Sequence, residues 1–178
     1  MKNTLRNLLL ASAGTLAFAA HANAEWTGSA GYSHFSLDAG PSDIDLGVLY
    51  ATIGWRLELG DGLVLLPEAR AGFGINDDSV GAGSNRVDIE VDSIFGGLTR
   101  LQYEFTGGAY VYAAPSYTRI ALSASGPGTG SVSGNSWEFG LGAGVGYMFN
   151  PQLGGEFSYE NIDGEDVFNF GLRYNFGR

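Results

Sequence analysis

The chain has 178 residues, 29 of them glycine and none cysteine, and a formal net charge of −10. An acidic excess argues against nucleic acid as a partner, since phosphate binding needs a basic face, and a chain without cysteine has no disulfide staple. Beyond the N-terminal run no stretch is apolar for the roughly 20 residues a membrane-crossing helix needs, and a mean hydropathy of +0.02 fits a sheet whose two faces alternate and cancel.

Residues 1–24 read as a signal peptide. Lys2 and Arg6 make a basic start, Leu8 to Ala20 is a short apolar run, and Ala22-Asn23-Ala24 is an A-x-A cleavage pattern. Cleavage after Ala24 leaves 178 − 24 = 154 residues, one domain spanning 25–178. It keeps 9 − 2 = 7 basic residues against 19 acidic ones, a net charge of 7 − 19 = −12. The bland reading of that charge is solubility; recruitment of divalent cations is the alternative.

Eight strands follow, read from period-two alternation. The first, about 25–37, puts Trp26, Ala30 and Tyr32 outward, with Phe35 and Leu37 out of phase. The second, about 45–59, sets Leu49, Ala51, Ile53, Trp55, Leu57 and Leu59 against Tyr50, Thr52, Gly54, Arg56 and Glu58, and Gly60-Asp61-Gly62 is a hairpin turn. The third, about 63–76, places Glu68 and Arg70 on the polar face. The fourth, about 86–105, sets Val87, Ile89, Val91, Phe95, Leu101, Tyr103 and Phe105 against Asp88, Glu90, Asp92, Arg100, Gln102 and Glu104. In the fifth, about 109–123, keeping Arg119 inside requires Tyr110, Tyr112, Ala114, Ile120 and Leu122 outside. The sixth, about 136–149, alternates Trp137, Phe139, Leu141, Ala143, Val145, Tyr147 and Phe149 with Glu138 and four glycines. The seventh, about 153–160, has Glu156, Ser158 and Glu160 inward. Short turns at 60–62, 106–108 and 150–152 alternate with longer connections at 38–44, 76–85, 123–135 and 161–165.

The eighth strand, 166–176, is the most regular. Phe168, Phe170, Leu172, Tyr174 and Phe176 fill every second position, and Asn169, Gly171, Arg173 and Asn175 lie between. Apolar side chains facing out suit this sheet, because glycines on the other face of strand six fit a crowded interior and the aromatics cluster near strand ends as a membrane girdle does. With its aromatic ending, the whole mature chain resembles the eight-stranded outer-membrane β-barrels of OmpA/OmpX type. The resemblance implies an all-β, antiparallel, up-and-down transmembrane barrel in the bacterial outer membrane, reached through the periplasm. It implies contact with outer-membrane lipid and lipopolysaccharide. It also implies that Phe168, Phe170, Leu172, Tyr174 and Phe176 form the signal read by the barrel assembly machinery. No peptidoglycan-binding domain is expected after the barrel, and the surface partner is not legible.

Inward positions offer Arg56, Glu58, Glu68, Arg70, Arg100, Glu104, Glu138, Glu156, Glu160 and Arg173. Buried charges need partners, and the interior of an eight-stranded barrel is roughly filled by side chains, so these residues are expected to pair into a plug. Arg56, Glu58, Glu68 and Arg70, on two strands joined by a tight turn, are expected to form one cluster. The expected role is structural or surface-interacting, with a narrow non-specific channel as the alternative. A barrel enzyme acting on lipid A is a remote third reading: His34-Phe35-Ser36 has the spacing of a resembling deacylase's His and Ser, but no longer motif surrounds it. No enzymatic activity and no cofactor are expected. Asp43-Ile44-Asp45 and Asp163-Gly164-Glu165-Asp166 lack the calcium-loop ligand series and read as solvated charges, so no metal is expected either.

Overall fold

The computed structural model describes residues 25–38, 43–80, 86–126 and 130–177. The signal peptide read at 1–24 lies outside the described residues. Eight strands run in chain order: β1 Glu25–Asp38, β2 Asp43–Gly60, β3 Leu63–Val80, β4 Val87–Glu104, β5 Ala109–Gly126, β6 Gly130–Met148, β7 Leu153–Ile162 and β8 Glu165–Asn175. Each pairs antiparallel with its neighbour, and β8 returns to β1 with Gly31 opposite Gly171, which closes the barrel. Closure pairs the backbone donors and acceptors that hydrocarbon cannot satisfy and leaves no open edge. At the β2–β3 turn Gly60, Asp61 and Gly62 all have positive φ, a conformation that glycine adopts without strain.

The strands outrun their expected ends at the longer-connection side. β5 and β6 stay paired to Gly126 opposite Gly130, and β3 and β4 to Val80 opposite Val87. The β7–β8 connection is a two-residue turn, Asp163-Gly164, between paired Ile162 and Glu165. The asymmetry between the two ends thus comes from hairpins that continue as ladder beyond the apolar belt. A Gly/Ser sequence such as 123–135 reads as loop, but a rigid hairpin below it propagates pairing at little further entropic cost. In the β3 extension the Asp78 carboxylate accepts the Asp45 N–H at 3.0 Å and the Ser79 N–H at 2.7 Å. These amides, Asp45 first, hold that carboxyl below the usual aspartate range.

Facing decides the environment. Large apolar side chains point outward and stay exposed, among them Trp55 at 44%, Leu141 at 58% and Phe170 at 54%, whereas Arg173 inside is 1% exposed. This inverts the pattern of a soluble barrel and matches a lipid-facing wall. Aromatic pairs mark the belt's edges: Trp26–Trp55, Tyr103–Phe105 and Tyr174–Phe176 near the short turns, and Tyr117–Trp137 towards the other end.

Two facings differ from the sequence reading. In β5, Tyr110, Tyr112 and Ala114 point inward and are buried, while Arg119 lies on the outer face opposite Phe95 and Trp137. The glycines of β6 explain the tyrosines. A Cβ on Gly144 would sit 2.4 Å from Tyr112 Cζ, and one on Gly146 2.1 Å from Tyr110 Cζ. Arg119 sits near the belt's upper edge, where a long side chain reaches out of the lipid; its Nε donates to Asn135 Oδ1 at 3.2 Å. In β4 a register shift between Val91 and Ser93 reverses the faces. Val91 is therefore buried inside while Phe95 faces out, and Glu90 and Asp92 above the break are exposed.

Candidate functional site

The lumen is filled in layers. Nearest the short turns Arg56 donates to Glu58 and, at 2.6 Å, to Glu104, which also accepts Gln102 Nε2 at 2.9 Å. Glu58 is 63% exposed, so its carboxylate lies at the rim and not in the interior, while Arg56 beside it is 3% exposed and inside.

Above it lies a closed ring of alternating charge. β3 supplies Glu68, β4 Arg100, β7 Glu156 and β8 Arg173. Arg100 donates to both Glu156 oxygens, at 2.8 and 2.9 Å. Arg173 Nε donates to Glu156 at 2.9 Å and its Nη1 to Glu68 at 2.8 Å. Arg100 Nε sits 2.8 Å from Glu68 Oε2, an ion pair at an angle too poor for a hydrogen bond. All four side chains are buried, and forked guanidinium donors let each arginine bridge two carboxylates. Tyr110 donates to Glu156 at 3.3 Å, and the Arg100 guanidinium stacks over Tyr112, 4.1 Å from its centroid.

The third layer centres on Arg70, which donates to both Glu160 oxygens at 2.7 and 3.1 Å and to Thr118 at 2.6 Å. Ser116 donates to the same Glu160. A cavity of about 30 Å³ separates this layer from the ring, too small for a continuous aqueous path. Apolar side chains follow: Phe35, Ile44, Leu46, Val48, Ile94 and Val167 are buried together. They occupy the inward positions of strand ends whose upper residues read as loop, or as out of phase, in the sequence.

The expected single cluster of Arg56, Glu58, Glu68 and Arg70 is divided among three layers. Glu68 lies opposite Gly54 and Arg70 opposite Thr52, so Arg56 sits a step lower. The salt-bridge partners then come from β4, β7 and β8 across the narrow lumen rather than from the hairpin neighbour. Glu138 departs furthest. It faces inward opposite Thr118 and lines one cavity with Phe35, Leu46 and Ile162 of the apolar layer, without a cationic partner among the described residues. Phe170, Leu172, Tyr174 and Phe176 lie exposed on the outer wall, and Phe168 is half-buried there, ring to ring with Phe157 and Tyr159. His34 and Ser36 also face outward. His34 Nε2 is 3.3 Å from Asp45 Oδ1, but no hydrogen bond joins Ser36 to His34 among the described residues.

Charge is unevenly placed along the axis. Of the 19 acidic residues, 12 lie at the end away from the chain termini: Asp38, Asp43, Asp45, Asp77, Asp78, Asp88, Glu90, Asp92, Glu138, Asp163, Glu165 and Asp166. Arg86 and Arg119 are the basic residues there, so that end carries 2 − 12 = −10. Outer-membrane barrels keep their short turns on the periplasmic side, and in a barrel of that kind this end faces outward.

Comparison with known proteins agrees with this fold. The model of the outer membrane protein beta-barrel domain matches residues 8–176. A search of curated protein sequences found no match. Among solved structures, the Yersinia pestis attachment invasion locus protein Ail, in complex with a heparin analogue, superposes with a TM-score of 0.60 at 15% identity, covering 86% of this chain and 99% of Ail. Neisserial surface protein A gives 0.58 at 14% identity, over 86% of this chain and 99% of its own. The N-terminal barrel domain of Pseudomonas aeruginosa OprF gives 0.51 at 16%, over 86% and 98%. At these identities the likeness is one of fold. Matched over nearly its whole length, the chain belongs to the outer membrane protein β-barrel domain family and is an integral protein of the bacterial outer membrane.

Proposed function

We propose that this protein is a closed, non-conducting barrel whose lumen is plugged by Arg/Glu pairs, and that its role is structural or surface-interacting. The observation that carries the reading is the closed ring of Glu68, Arg100, Glu156 and Arg173, buried and capped by an apolar layer. The lumen leaves no aqueous thread, and the acidic outward end is the surface offered to the surroundings. Ail's heparin-analogue ligand is a polyanion; an end of charge −10 disfavours a polyanion here. Delivery to the membrane is assigned to the barrel assembly machinery, with the aromatic face of β8 as its signal.

The chain has no cysteine, so single introduced thiols report solvent access cleanly. Thr118→Cys in the lumen should resist a charged, water-soluble maleimide, while Asn150→Cys at a turn should label at once. Equal labelling of both would replace the plug by a water-filled channel. The protein is further proposed to catalyse no reaction, since His34 is oriented by Asp45 but Ser36 is not bonded to it. Fatty-acid release from lipid A by the refolded protein, abolished by Ser36→Ala, would overturn that.

A further inference from the structure

The outward mouth of the lumen holds a cavity of about 240 Å³ that none of the roles above uses. Its floor and walls are Phe35, Leu46, Val91, Ile120, Leu122 and Ile162. It is a concave, mostly apolar recess open at the outward end. For scale, an apolar cavity of about 150 Å³ accepts benzene. The rim is acidic. Glu138, Asp163 and Glu165 line it and no basic residue does.

Glu138 is the informative group. It is half-buried on the inward face of β6, whereas the glutamates of the ring and of the Arg70 layer are salt-bridged. The cations among the described residues are engaged elsewhere. Arg119 lies on the outer wall with Asn135, Arg86 Nε donates to Asp88 at 2.7 Å, and the lumen arginines lie beneath the apolar floor. The residues that connect the strands at 39–42, 81–85 and 127–129 carry no charge in the sequence. A partly desolvated carboxylate without a counter-ion favours a cation brought from outside. An anion is repelled by the whole outward end, and a neutral guest leaves the Glu138 carboxylate without a counter-ion.

We propose that this mouth cavity binds a small amphipathic amine, its apolar part on Phe35, Leu46 and Ile162 and its ammonium at Glu138, with Asp163 and Glu165 adding to the negative rim. A phenylalkyl amine fits the volume. Primary ammonium groups donate hydrogen bonds to carboxylates, and the charge assistance strengthens them. The site rests on the apolar layer's own side chains at the outward end, away from the charge ring, so the proposal stands whether or not the charge ring plugs the lumen.

Isothermal titration of the refolded chain in a zwitterionic detergent tests it, with phenethylammonium as the probe and 2-phenylethanol and 3-phenylpropionate as its neutral and anionic counterparts. The amine should bind saturably and tighter than either counterpart. Glu138→Gln should weaken the amine about tenfold and leave the alcohol unchanged. Ile120→Trp, which fills the cavity, should weaken both. Heat-shifted gel mobility reports whether each variant has folded, and Asp163→Asn is the second rim variant should Glu138→Gln fail to fold. No saturable amine binding, or equal binding of all three compounds unaffected by the rim variants, would overturn the proposal.

Discussion

Removing one partner from a buried ion pair strands the other, and the cost depends on whether water can reach what is left. Arg173 bridges Glu68 and Glu156, both buried in the ring. Arg173→Ala should destabilise the barrel by about 3 kcal/mol or more, read from urea unfolding in lipid. Arg56 is equally buried, but its partners Glu58 and Glu104 are 63% and 27% exposed and can hydrate. Arg56→Ala should cost about 1 kcal/mol. Equal costs for the two variants would contradict the layering. Asp78 gives a pH-dependent tie between β2 and β3. Its folded carboxyl titrates below its unfolded value, so the tie is present above the ordinary aspartate range and is lost as pH falls through the lowered one. The Asp45 amide resonance should therefore hold steady through mild acid and move only on the more acidic side. An Asp45 shift that follows an ordinary aspartate titration would count against it. At this scale the sequence shows that the charges of the ring face inward but not which of them pair. Glu68 and Arg173 are 105 positions apart and meet only because the barrel closes.

At the scale of elements, alternation reported facing wherever a strand was continuous and failed where it was interrupted. β2, β3, β6, β7 and β8 present the faces their patterns give. In β5 an interior Arg119 sets the wrong phase, because an arginine near the belt's edge can sit outside and reach polar surroundings. β4 was misread beyond its bulge, since one extra residue flips everything past it and leaves no mark in composition. The β5–β6 contact makes a sharp prediction. Gly146→Ala pushes a methyl into the Tyr110 ring and should cost about 1–3 kcal/mol. Combined with Tyr110→Ala, the glycine substitution should cost much less than it does alone, a non-additivity that a double-mutant cycle measures. Additive losses would mean that the ring and the glycine do not meet. The end of β8 makes another. The Phe176 N–H donates to Trp26 O at 2.9 Å, while its ring is 60% exposed against Tyr174. Truncating the ring leaves the backbone bond intact. Phe176→Ala should lower the amount inserted in cells while refolding in detergent stays near that of the parent; normal insertion in cells would count against an assembly signal.

Taken whole, the molecule divides its polarity radially and along its axis. The wall is apolar, the lumen beneath the apolar floor nearly neutral, and the outward end acidic. Barrel closure, strand number and the lipid-facing wall were legible from alternation because a lipid environment enforces it on every strand. The acidic end is legible in the sequence only in pieces, since its residues are scattered over strand ends and turns that the barrel brings together. The central claim is that the lumen is shut twice, by the charge ring and by the apolar layer above it. Planar-bilayer recording of the refolded protein tests that most directly. The account predicts a silent bilayer after insertion is verified. Reproducible conductance steps of one fixed size, present at every insertion, would contradict it.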